Sequence, residues 1–376
     1  GGGDAGAAAG GDMGGGDAGA AAGGDMGGGD AGGGDMGGYV ETREESATDA
    51  TAEAMEHFQG DGGFEDLGAD ATFEVAADMD TQGFQDLGGE GTLDMIETMG
   101  QDQFLELEGD AMAGAFSAMD HDQMGAMGHD EVFEAAGQMD QAALGSMEAD
   151  SAIAMVDTIG HDNVGDLAGD QIGGLLDAMG AEHIESLGGE QVFDMVGHMS
   201  GDDFGQMGGD SAFGMFETMG DDQVLDMESD AMSGMFGAMD HEHLAGMEGD
   251  TAFGAFETMG TEGMMGMGGD SMAGVFDAMG SENIGEIEGD ELFEMAGGMS
   301  GDDFGQMGND SAFGMFETMG HDNVSDLEGD QMAGMFDAMG SDHIHDIGGE
   351  ALFEMAEGMD GADFMTMGND SAFGMF

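Results

Sequence analysis

The stretch "DSAFGMFETMGDDQVLDMES", residues 210–229, is the one whose reading decides the fold. Its apolar residues fall at spacings of three and four: Phe213, Phe216 and Met219, with Ala212 and Met215 beside them. That spacing lines one face of an α-helix, whereas a strand would alternate at every second residue. Asp210 stands where an N-cap belongs, and Gly220 is placed to stop the helix at its C-terminal side. Asp222 opens a second, shorter helix with Val224 and Met227 on its apolar face, and Glu228 and Ser229 lead to the next cap. The stretch therefore reads as helix, glycine turn, short helix, turn.

The same pattern recurs with a period of 20 residues. Asp70, Glu90, Asp110, Asp130 and every later position at this spacing through Glu350 and Asp370 are acidic. Nine residues after each acid stands a Met, from Met79 to Met359, with Ile159 the one exception. A fixed period of this size signals a repeat array. One unit offers too few apolar side chains to offset the entropy of ordering its own backbone, so it must stack on its neighbours. The fold expected is all-α, an α-solenoid of 20-residue helix-turn-helix repeats over residues 70–376. A longer period overlies the short one. Units starting at 170, 270 and 330 share "DAMG", the units after them resemble "FEMAGGM", and the third share "SAFGMF", which makes a 60-residue super-repeat. A second, small-residue stripe runs along the longer helices as Ala111, Gly114, Ala118 and again as Ser211, Gly214, Thr218 and Ser311, Gly314, Thr318. Glycine inside a helix costs about 1 kcal/mol relative to alanine, so its recurrence points to a close backbone approach that Ala, but not Leu, would tolerate.

Upstream, residues 1–38 repeat "GGGDAGAAAGGDM" with nothing larger than isolated Met to build a core, which reads as a disordered Gly/Ala/Asp/Met spacer. Residues 39–69, which carry Arg43, read as a transition and a degenerate first repeat. The chain opens without Met and stops in mid-repeat, so both natural ends are expected to lie outside it.

The charge is one-sided: 84 acidic residues face a single basic one, Arg43, for a formal net charge of −83. Such a chain repels nucleic acid and anionic membranes and attracts cations and basic protein surfaces. At 40% hydrophobic content it is too apolar for a solvated acidic tail. No run approaches a membrane span, so no membrane insertion is expected. With no Cys there is neither a disulfide frame nor a thiolate site.

The acids invite a metal-binding reading. The repeat-start acids and those at the next turn, such as Asp202 and Asp222, are read first as helix caps. Stacked, they also form acidic rows that weak Ca²⁺ or Mg²⁺ binding can exploit. "DMDTQGFQDLGGE" at 78–90 resembles a calcium loop in Asp78, Asp80 and Gly83 but has Gly89 where the bidentate Glu belongs. Histidines gather at the turn between helices. "DHEH" (Asp240, His241, Glu242, His243) and "SDHIHDI" (with Asp342, His343, His345 and Asp346) are the best candidate metal ligands. The 44 Met residues mostly coincide with the core stripe, "MMGM" at 264–267 being their densest cluster. No nucleophile–base constellation or phosphate loop stands out from the repeat, so catalysis is not expected.

"MGDDQVLDM" (219–227) and "MGSENIGEI" (279–287) resemble the L-P-x-E-x-A-x-x-L units of the N-terminal domain of MgtE magnesium transporters and of the middle domains of flagellar FliG proteins. The resemblance implies a superhelix of short helices. Gly replaces Pro here, and the apolar spacing alternates instead of staying even. The function expected is a non-enzymatic acidic repeat scaffold or interaction protein that depends on salt or divalent cations. The alternatives are a Ca²⁺/Mg²⁺ buffering or sensing module and a solenoid that binds a basic peptide. Self-association by end-to-end stacking is a further expectation. The charge suits a cell surface or extracellular setting, or else the cytoplasm of a halophile.

Overall fold

The structure, a computed structural model, describes residues 37–58 and 63–375. The spacer expected over 1–38 lies outside the described residues except for Gly37 and Gly38, which begin the first helix. The chain divides into two units, Gly1–Thr42 and Arg43–Phe376, and the 20-residue repeats over 70–376 lie in the second. Among the described residues the structure is all helix, 27 α-helices and one 3-10 turn with no strand, as the apolar spacing requires.

Residues 39–69 form the long helix Gly37–Phe58 and the 3-10 turn Gly63–Asp66. Phe64 in that turn is fully buried at the place in the unit held further on by Phe84 and Phe104. From there each unit is a longer helix followed by a shorter one, such as Gly209–Met219 and Asp221–Leu225. The core line is Ala212, Met215, Phe216 and Met219 from the longer helix, with Val224 from the shorter and Met227 from the turn after it. Phe213, the first residue of the expected stripe, is only half-buried and packs at the edge of the core. Most of the Met-rich stripe is interior. In "MMGM", Met264 and Met267 are buried while Met265 turns outward, 39% exposed, so the cluster does not converge on one point.

The junction between the two helices of a unit is Gly, Asp or, at Ser200 and Ser300, a serine that forms a capping box with Asp203 and Asp303. Where it is Gly220, the residue takes φ 74° and ψ 166°, and Gly100, Gly160, Gly180 and Gly280 do much the same. A side chain is strongly disfavoured there, so Gly is required. Where the junction is Asp, φ is near −90° and the carboxylate caps the shorter helix. Asp80 accepts from the Gly83 N–H at 2.8 Å, Asp120 from Gln123 at 2.9 Å and Asp140 from Ala143 at 2.9 Å. Thus Asp80, which belongs to the calcium-like stretch, is a helix cap.

The stacking skips a unit. The shorter helix Ala181–Leu187 packs on the longer helix Gly209–Met219, Gly201–Phe204 on Ser229–Ala238, and His121–Met127 on Ala149–Ile159. The longer helices also touch the longer helix of the next unit, as Gly189–Val196 does with Gly209–Met219. The small-residue stripe sits in the first of these contacts. A Cβ on Gly214 would lie 2.7 Å from Ala181 Cα, and one on Gly314 would lie 2.8 Å from Ser281 Cα. The close backbone approach is real, but the expectation that Ala would fit is corrected: the atoms in the way are backbone and cannot swing aside. Stacking on near neighbours throughout is the arrangement of a helical repeat array.

Candidate functional site

The repeat-start acids do not cap their helices. The longer helix begins one residue earlier, so Asp210 lies inside the first turn behind Gly208, and no side chain caps that end. The carboxylates still meet the positive end of the helix dipole, but their hydrogen bonds run to other units. Asp230 accepts from the Gly201 N–H at 2.9 Å and Asp270 from the His241 N–H at 3.1 Å. Asp70 accepts from the Gln103 amide at 3.0 Å and Asp290 from the Asn323 amide at 3.3 Å. A second set of acids does the same from further along the helix. Asp177, Asp277 and Asp337 accept from the Gly208, Gly308 and Gly368 N–H groups at 2.9, 2.8 and 2.7 Å. Sequence reasoning missed this second set, although its signal was present as the Asp of the shared "DAMG".

These staples share a feature forced by composition. A carboxylate in an ordinary protein would pair with Lys or Arg, but this chain has only Arg43. The donors are instead backbone N–H groups and neutral amides, supplemented by histidine. Histidine faces carboxylates at ion-pair distance in His57–Glu53, His241–Asp277, His243–Asp210 and His343–Asp310.

The candidate metal residues spread over these roles. Asp240 caps its shorter helix, accepting from the His243 N–H at 3.1 Å. His243 lies between carboxylates, with Nδ1 3.0 Å from Asp240 and Nε2 3.3 Å from Asp210, and its ring stacks on Phe213 with centroids 4.8 Å apart. His343 repeats one carboxylate contact and the stack, with Nε2 3.1 Å from Asp310 and its ring 4.5 Å from Phe313, but Gly340 stands where Asp240 does. His241 turns elsewhere, its Nε2 3.8 Å from Asp277. Glu242 and Asp342 are exposed in the first turns of their short helices, and Asp202 and Asp222 lie in the first turns of theirs. His345 and Asp346 are exposed at the next turn. Within "DHEH" only Asp240 and His243 meet, the other side chains of the two motifs turn to separate partners or to solvent, and among the described residues no three His, Asp or Glu side chains gather to hold a metal ion.

Chemically, then, the array offers staples that consume some carboxylates and an outer surface of many more. Asp210 and Asp310 keep 92% and 86% of their side chains exposed even while touching His243 and His343. Among the described residues no helix is long and apolar enough to cross a membrane. No protein-family model matches the chain, and comparison with curated proteins gives no significant match.

Proposed function

We propose that the chain is a non-enzymatic acidic repeat scaffold that holds basic protein surfaces. The observation that carries this reading is the donor set of the staples. The fold satisfies its structural carboxylates with neutral donors, so the exposed ones have no internal cation and remain available to an external one. A basic surface is the matching partner, and its encounter would be steered by the field of the whole array. The expected dependence on salt or divalent cations follows from the same charge, since free ions screen the array.

Calorimetric titration with an oligolysine peptide, with CaCl₂ and with an oligoglutamate control tests the proposal. Saturable heat from oligolysine that weakens with added NaCl is the expected result. Stoichiometric, saturable Ca²⁺ binding per repeat with no peptide binding would overturn it in favour of a divalent-cation module.

A further inference from the structure

Two clefts stand at matching places in the 20-residue unit. One has Leu93 and Ile96 on its floor, with Glu97 and Glu131 among its lining residues. The other has Phe313, Phe316 and Ile347 as floor, with Glu317 and Asp346 on the rim and a volume of about 380 Å³. Ile96, Phe316 and Ile347 are buried, while Glu97, Glu317 and Asp346 are exposed. Each cleft therefore has an apolar floor beneath two carboxylates, and among the described residues neither lining includes a Lys or Arg.

We infer that these clefts are the places where single lysine or arginine side chains of a basic partner seat. The inference rests on the acidic-scaffold reading and narrows it to a site. Lys and Arg join an apolar stem of several methylenes to a charged head. The stem matches Phe313, Phe316 and Ile347, and the head reaches Glu317 and Asp346. A bare metal ion would leave the apolar floor unused, and a neutral apolar ligand would leave the carboxylates unpaired. Recurrence of the cleft along the array lets one partner with several basic residues engage more than one cleft, which multiplies affinity without new contacts. The sequence contains its own comparator. In the near-identical copy at 201–220 the floor residues Phe213 and Phe216 and the acid Glu217 are kept, but Gly246 stands where Asp346 does.

The test is an NMR titration of the full chain at ~0.5 M NaCl, where diffuse attraction is screened to a few ångströms. The probe is acetyl-Gly-Arg-Gly-amide, with its citrulline counterpart as the neutral isostere. The imidazole signal of His321, which lines the larger cleft, is assigned with His321→Gln. The arginine probe should shift it saturably and the citrulline probe should not. The double variant Glu317→Gln/Asp346→Asn should weaken binding roughly tenfold, as two partly exposed charge pairs can, while Glu217→Gln leaves it unchanged. An equal response to citrulline, or equal weakening by Glu217→Gln, would overturn the inference. Oligolysine binding to the chain while the arginine probe leaves the His321 signal unmoved would remove the cleft yet leave the scaffold reading intact. Failure of oligolysine to bind the unmodified chain would remove both.

Discussion

At the scale of single residues the glycines are sorted by what faces them. Gly214 faces the backbone of Ala181, whereas Gly254 faces the side chain of Leu225 at 3.0 Å or more. Alanine gains about 1 kcal/mol over glycine inside a helix, but forcing backbones apart costs ~1–3 kcal/mol. Gly214→Ala is therefore expected to lower the melting temperature and Gly254→Ala to hold or raise it. A thermal melt giving both variants the same sign of shift would sink the distinction. The staples allow a similar contrast at matched charge. Asp177→Ala removes the acceptor of the Gly208 N–H and should cost about 1–2 kcal/mol. Glu217→Ala removes the same charge from an exposed site and should cost nothing measurable. Paired denaturant titrations compare the two. His243 joins both themes, since it clasps Asp210 and covers Phe213. An amide does the clasping elsewhere, as Gln103 does for Asp70, so His243→Gln should keep most of the stability while His243→Ala loses about 1 kcal/mol of ring stacking.

At the scale of the element, the junction between helices can be exchanged in one direction only. Gly220 holds a backbone conformation that side chains avoid, so Gly220→Ala should cost about 1–3 kcal/mol. Gly220→Asp should cost less, because the unit can switch to the capped junction seen at Asp120 and Asp240, where φ is negative and a carboxylate accepts from the residue three places on. Thermal unfolding of the two variants side by side checks this, and equal losses would show that the two junctions do not interconvert.

At the scale of the whole molecule, the formal charge of −83 meets no internal ion pairs with Lys or Arg beyond what Arg43 can offer. Self-repulsion opposes the folded array most where screening is weakest. The Debye length is ~30 Å at ~0.01 M salt and ~3 Å at ~1 M, so in dilute buffer each unit feels the carboxylates of several neighbours. Circular dichroism should show low helicity in dilute chelating buffer and rising helicity on adding molar NaCl or millimolar Ca²⁺. Full helicity that ignores salt would show that burial of the Met and Phe core outweighs the repulsion unaided.

Sequence alone determined the unit: its 20-residue length, its two helices, and the line of Met, Phe and Ala that faces inward, because helical periodicity is a local property written in side-chain spacing. It also marked Gly214 and Gly314 as close contacts, since glycine recurs there against its own helix propensity. What only the tertiary structure decided is who meets whom. Every unit presents nearly the same surface, so the chain's text does not reveal that a shorter helix seats on the longer helix two units on. That choice places Gly214 over Ala181, and the register between adjacent units places His243 over Phe213. It also turns Asp230 and Asp177 from apparent caps or surface acids into staples between units. The reason is physical: a cap is satisfied within a few residues and can be read locally, whereas a hydrogen bond to another repeat depends on the register in which identical faces stack.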